Sequence, residues 1–362
     1  MKDEFNEILI QKFSEWEKSS QGIALGWQGW AWVWLQLCES GILKDDTGKV
    51  FDKILKKLNQ EAKVGPLDDV ISHVAGFGSL PLICALISKN DPSEKKIFTT
   101  LIKSWEAQCQ QTQQNDFAFG FAGAMLASAE IETHLPGQIP LSLLNCIWNG
   151  LLRSVKSILN QPTNQYLGYS HGIAGYLFAV ETGRYVFGLK SPQDLTDNLD
   201  HLLWTNRINS QWPERVGELK IGIHGWCHGG PGITMGYLGC YMLTNKSSYK
   251  DHLFQAIEGS ESKVSKHNVF CCGKIGHSQI MLESFQQLNE TRFFTSAKKL
   301  QKKCHAQKPS NNQFINSLFF GRLGHIYMDL RMKYPHRLPM PGFGIFSNIT
   351  ASRDWIKFFR NN

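Results

Sequence analysis

Apolar residues along the chain fall into two alternating kinds of segment. The first kind is amphipathic: Phe51, Ile54, Leu55 and Leu58 stand at i, i+3, i+4 and i+7. That spacing predicts a helix buried on one face over 49–62. Comparable stretches lie near 3–19, 94–110, 141–159, 192–208, 248–264 and 290–305. Pro92, Pro140 and Pro192 sit near the starts of three of them, where proline is tolerated. The second kind is apolar on most faces, as in Trp30 to Leu35, Leu80 to Ile87, Ala124 to Ala129 and Tyr176 to Val180. Helices of that kind belong in an interior. β-rich runs are scarce, and no low-complexity linker divides the chain.

A recurrent Gly-x-x-Gly stands between the two kinds. It occurs at Gly26, Gly120, Gly172, Gly229, Gly273 and Gly321, with a copy at His73…Gly76 that lacks the first glycine. Start-to-start spacings are 47, 47, 52, 57, 44 and 48 residues. One such motif means little, but a near-constant period indicates a repeat protein. Each unit then reads as an amphipathic helix, a connection, a glycine turn and an apolar helix. Seven such hairpins, with apolar helices inside, predict an all-α fold: an α/α toroid, or double-layered helical barrel, forming one domain over 1–362. Length alone would suggest two domains. Stacked units escape that limit, because their core grows with each repeat.

Composition adds constraints. The chain is 42% hydrophobic and 19% charged, with 11 Trp and 22 Phe, enough to fill a wide core or line a cavity. The net charge of +7 is scattered in small clusters such as Lys298-Lys299 and Lys302-Lys303. It reads as solvated helix faces, and no nucleic-acid partner is expected. The first residues, Met1 to Glu7, are acidic where a secretory signal would be basic and then apolar. No apolar run reaches the ~18 residues of a spanning helix. Nine dispersed cysteines do not look like a disulfide framework. A reducing cytoplasm is the expected compartment.

The repeat register locates the chemistry. The residues just before the seven motifs are Leu25, Ser72, Phe119, His171, His228, Cys272 and Phe320. One position earlier stand Ala24, Ile71, Ala118, Ser170, Cys227, Cys271 and Phe319. Reactive side chains therefore gather at the turns of repeats four, five and six, on one rim. Zinc prefers thiolate and imidazole, and a catalytic site keeps three protein ligands with one open position. Cys227, Cys271 and Cys272 are the expected ligands. Cys38, Cys84, Cys109, Cys146, Cys240 and Cys304 read as small buried hydrophobes.

The motifs Tyr169-Ser170-His171-Gly172-Ile173-Ala174-Gly175, Trp226-Cys227-His228-Gly229 and Cys271-Cys272-Gly273 resemble those of the lanthionine synthetase C-like cyclases. The resemblance runs through all seven repeats. It implies an α/α toroid around a central Zn2+, and addition of precursor-peptide cysteine thiols to dehydroalanine or dehydrobutyrine. It implies His171 as the catalytic histidine that protonates the enolate. It also implies Asp69 as an aspartate that orients or charge-balances His171. Three positions depart from the family pattern. Cys272 replaces the histidine that many members use as third ligand. His228 stands where tyrosine is frequent, and reads either as a second proton donor or as rim packing. Ile223, beside His224, stands where stand-alone bacterial members often carry arginine.

The expected partner is a dehydrated precursor peptide, with a dehydratase and an exporter as neighbours in a membrane-associated complex at the inner face of the membrane. Alternative functions are glutathione addition to dehydroamino acids, and a zinc-containing peptide-binding module of impaired activity. A glycosidase would need paired carboxylates on the rim, and Asp69 has no evident partner there.

Overall fold

The computed structural model describes residues 21–43, 48–89, 92–192, 194–222, 225–262, 264–305 and 316–346. Among them are thirteen α-helices and no strand, only two isolated β-bridges. No helix among the described residues is long and apolar enough to cross a membrane.

Seven helices follow the glycine turns: α1 (Trp27–Glu39), α3 (Ser79–Ser88), α5 (Phe121–His134), α7 (Ile173–Phe187), α9 (Gly230–Thr244), α11 (Lys274–Leu288) and α13 (Arg322–Lys333). They are buried almost all round; every residue of α3 is buried. Six helices alternate with them: α2 (Lys49–Val64), α4 (Lys95–Gln111), α6 (Leu141–Asn160), α8 (Asp194–Thr205), α10 (Ser247–Glu261) and α12 (Thr291–His305). These bury one stripe. In α12, Phe293, Ala297, Leu300 and Cys304 face inward, while Lys298, Lys299, Lys302 and Lys303 are exposed. All six fall within a few residues of the expected amphipathic stretches. The seventh such stretch, near 3–19, lies outside the described residues. Left-handed residues close several inner helices: Gly188 after α7, Asn245 after α9 and Asn289 after α11, a conformation these two residue types adopt readily.

The turns close on themselves. Ala24 N donates to Val74 O, Ile71 N to Phe119 O, Ala118 N to Ser170 O and Ser170 N to Cys227 O. Cys227 N donates to Cys271 O, Cys271 N to Phe319 O, and Phe319 N back to Ala24 O. Each turn thus bonds to the next, and the last bonds to the first. Trp30 Nε1, which donates to Asn316 O at 2.8 Å, and the Trp32–Tyr327 ring pair at 5.5 Å seal the same seam one layer down.

The second glycine of every motif has one physical reason. A Cβ placed there would lie 1.9–2.3 Å from the carbonyl oxygen six residues earlier in all seven turns, from Ile23 O at Gly29 to Leu318 O at Gly324. Gly76 obeys the rule (2.0 Å from Val70 O) although its motif begins with His73. His73 is fully buried with Nδ1 on Gly123 O at 3.1 Å, and burial lowers it to about 4.

A layer of rings lies under the turns. Phe117, Tyr169, Trp226 and Phe270 stand three residues before motifs three to six and are all buried. Trp226 contacts Phe117, Tyr169, Phe270 and, at 4.9 Å, Phe319. Below this layer the chain after α13 crosses the ring. Tyr327 Oη on α13 donates to Pro339 O at 2.9 Å, and Phe343 meets Phe178 on α7, the far side, at 5.3 Å. Buried Arg331 fixes the segment's start, donating to Leu338 O at 3.0 Å and to Glu283 at 2.6 Å. Glu130 on α5 receives the Gly344 N–H. The interior is therefore filled, and the turns form one rim on which His171, His228, Cys271 and Cys272 are half-buried and Phe119 is exposed.

Candidate metal centre

Six of the seven inner helices begin at the first glycine of their motif: Gly26, Gly120, Gly172, Gly229, Gly273 and Gly321 are N-caps. Their first-turn N–H groups are largely taken up by carbonyls of the preceding turn, as in Ile173 N to Tyr166 O and Lys274 N to His267 O, but their positive dipole ends still converge on the rim and favour anionic groups there. Cys271-Cys272 precede the N-cap of α11, and Cys227-His228 precede that of α9. Gly225 lets the two turns meet, since a Cβ on it would lie 2.4 Å from the Cα of Cys272.

The three sulfurs hydrogen-bond to one another. Hydrogen bonds from Cys227 and then Cys271 pull Cys272 down to about 3, against its burial, with help from the nearby imidazoles of His267 and His228. Of the three, Cys272 is the sulfur whose surroundings favour the thiolate. Cys227 gains from its bond with Cys271, but the bond with Cys272 and burial outweigh this and push it up to about 12. Cys271 is raised by its bonds to Cys227 and Cys272 and by burial. Among the described residues no group of three or more His, Cys, Asp or Glu side chains is already arranged as a metal cage. The donor chemistry nevertheless fits zinc: three soft sulfurs in mutual contact, at the positive ends of helices. None of the nine cysteines is in a disulfide. Cys84, Cys109, Cys240 and Cys304 are raised by burial, as inert buried thiols are, and half-buried Cys146 is raised the same way.

His171 stands one turn away. Its Nδ1 lies 2.9 Å from Asp116 Oδ2, and its ring is 5.4 Å from that of His228 and 5.3 Å from that of Phe119. Asp116 is itself held by Phe119 N, which donates to Oδ1 at 2.8 Å. The expectation from sequence names Asp69 for this position. Asp69 is exposed; its Oδ2 accepts from Gln114 at 3.1 Å, and its carbonyl accepts from Thr112. The two aspartates are register equivalents, each four residues ahead of its motif in repeats two and three. Turn three is the neighbour of turn four, so the copy in repeat three reaches His171. Extending the register comparison by two positions would have found it.

His228 is half-buried, its Nδ1 has no hydrogen-bond partner among the described residues, and its ring packs on Tyr166 at 4.9 Å. Burial, then the charge of His171, lowers it to about 4, so its ring is uncharged at neutral pH. Tyr166 carries the guanidinium of Arg215, 3.9 Å from the ring centroid. Neither Tyr166 nor Arg215 has a signal in the motif register, because Arg215 comes from the connection between α8 and turn five. Ile223 and His224 lie outside the described residues.

The molecule resembles known proteins in both fold and sequence. The solved structure of nisin cyclase superposes with a TM-score of 0.74 at 15% identity, over 97% of this chain and 100% of that one. A family profile described as lanthionine synthetase C-like protein matches residues 20–344. With most of the chain matched, this protein belongs to the lanthionine synthetase C-like family.

Proposed function

We propose that the chain is a zinc-dependent cyclase that adds cysteine thiols of a dehydrated, ribosomally made peptide to dehydroalanine or dehydrobutyrine, closing lanthionine and methyllanthionine rings. We read the ring of hairpins as an α/α toroid forming one domain over 1–362. The observation that carries the function is the meeting of three sulfurs, Cys227, Cys271 and Cys272, one rim position from an imidazole that a carboxylate holds.

Zn2+ held by the three cysteines would keep the substrate thiol deprotonated near neutral pH. The chain's own groups do the rest. The sulfur pair attacks the β-carbon, the C=C pair moves onto the carbonyl oxygen, and the α-carbon then takes a proton. Asp116 engages Nδ1 of His171 and leaves Nε2 as the nitrogen that exchanges that proton. His228 is uncharged at neutral pH; it flanks the site as a ring and a hydrogen-bonding group, and His171 is the acid. Phe119, 38% exposed beside His171, offers the peptide an apolar contact. This chemistry implies a dehydratase upstream, acting on Ser and Thr of the same peptide.

The test offers the full chain a dehydrated, cysteine-containing peptide with zinc and follows free thiol. Wild type should consume thiol and Cys227→Ala should not; equal rates would sink the cyclase reading. A cysteine-free dehydrated peptide with added glutathione identifies the other thiol donor in the same assay.

A further inference from the structure

Two side chains unused so far, Tyr166 and Arg215, meet beside the imidazole pair. The Tyr166 ring lies 4.9 Å from His228 and 6.2 Å from His171, centroid to centroid. The Arg215 guanidinium lies 3.9 Å from the Tyr166 centroid. One of its terminal nitrogens bonds the Tyr166 hydroxyl, and the other donates to Asn164 O at 3.2 Å.

This arrangement is anchored by the backbone. Tyr166 and Arg215 form an antiparallel bridge. Leu167 N donates to Glu214 O at 3.0 Å, and Val216 N donates to Gln165 O at 2.8 Å. The seam ties the connection after α8 to the approach of turn four, and it sets the guanidinium on the phenol before any substrate arrives.

Arginine has donors and no acceptor. In its bond to Arg215 the Tyr166 oxygen must therefore accept, which leaves its own proton free to donate. A cation on that oxygen makes the O–H a stronger donor. The addition described above places a negative charge on a carbonyl oxygen when the sulfur–carbon bond forms, and discharges it when the α-carbon takes its proton. A donor fixed in advance near that oxygen lowers the barrier without reorganisation.

We propose that Tyr166 donates a hydrogen bond to the developing enolate oxygen of the acceptor residue, and that Arg215 is the positioning residue that holds and polarises it. The proposal rests on the cyclase reading. The hydrogen-bond donor keeps its proton; the net change is one S–H and one C=C lost, one S–C and one C–H gained.

The test compares wild type, Tyr166→Phe, Arg215→Ala and the double variant in the thiol assay, with zinc content and thermal midpoint measured on the same preparations. Tyr166→Phe should lower kcat about 100-fold at near-constant KM, zinc content and Tm. Arg215→Ala should lower kcat similarly, and the double variant should be no slower than Tyr166→Phe, because the arginine acts through the phenol. A kcat for Tyr166→Phe within about threefold of wild type overturns the proposal. So does a fall in kcat that tracks lost zinc or lost Tm, which would make the pair a structural latch. A wild type no faster than Cys227→Ala fails the underlying reading instead, and that failure shows before any Tyr166 variant is compared.

Discussion

Turns four to six and turns seven, one and two share one backbone and differ in what it carries. In both sets the residue two places before the motif bonds to the next turn around the ring. In both, the second glycine lies against the carbonyl six residues earlier. The side chains at the last two rim positions are Phe319, Phe320, Ala24, Leu25, Ile71 and Ser72 in one set. In the other they are Ser170, His171, Cys227, His228, Cys271 and Cys272. The fold uses the N–H and C=O of these positions in every turn, while their side chains differ in role: Phe319, Ala24 and Ile71 are buried in the core, and the Ser72 hydroxyl bonds Ala118 O and caps its own turn. Chemistry has been placed on one arc of a backbone frame that all seven turns share.

The largest effect should come from removing a sulfur from the reactive set. Cys271→Ala should drop bound zinc from about one per chain to a small fraction, by metal analysis after dialysis. Cys304→Ala, in a buried thiol outside the rim, should keep it. Equal zinc in both variants would mean that the rim sulfurs do not hold the metal. Next comes the shared backbone. A Cβ at Gly276 would sit 1.9 Å from Phe270 O, so Gly276→Ala should cost about 4 kcal/mol or more. Gly29→Ala, in an inert turn, faces Ile23 O at 2.2 Å and should cost the same order. Exposed Gly137, with φ 71° and nothing near its Cβ, should cost only about 1 kcal/mol on substitution. A Gly276 variant as stable as the Gly137 variant would show that the close approach is not needed.

Much of this was legible in the chain because repeats turn spacing into geometry. The period placed reactive residues at one height, and burial patterns within each unit separated inner from outer helices. What stayed hidden depends on contacts that skip the register. Asp116 went unnamed because two equivalent aspartates exist, and the copy in the turn adjoining turn four is the one that bonds His171. Arg215 was hidden because its segment pairs with residues some fifty positions away. The crossing of the ring by residues 338–346 was hidden too, since Met340, Phe343 and Ile345 carry no repeat signal.

The layer beneath the rim should respond to pH through stability, where the rim responds through chemistry. Glu130 is buried beside Trp32, whose Nε1 donates to it at 3.3 Å, and burial raises it from 4.5 to about 7. Below pH 4.5 the group is protonated in folded and unfolded chains alike. Between 4.5 and 7 only the unfolded chain ionises, so its folded-state contribution is lost as pH rises. The shift is worth about 3 kcal/mol across that window. Wild-type stability relative to Glu130→Gln should therefore fall from pH 4.5 to 7 and then level off, by denaturant melts at each pH. A pH-independent difference would mean that the carboxyl is not held neutral.

The smallest effect separates the two equivalent aspartates, and it tests the comparison at its closest. Asp116 and Asp69 share a register position, but only Asp116 touches His171. Asp116→Asn keeps the size and can still meet Nδ1, but it removes the charge and can reverse the preferred tautomer. Loss of such a partner typically lowers activity on the order of 10- to 100-fold, and the thiol assay should show that loss in kcat with zinc content intact. Asp69→Asn leaves the His171–Asp116 pair untouched and should stay near wild type. If the Asp69 variant is the slower one, turn two and not turn three supports the catalytic imidazole, and the division between reactive and inert turns must be redrawn to include repeat two.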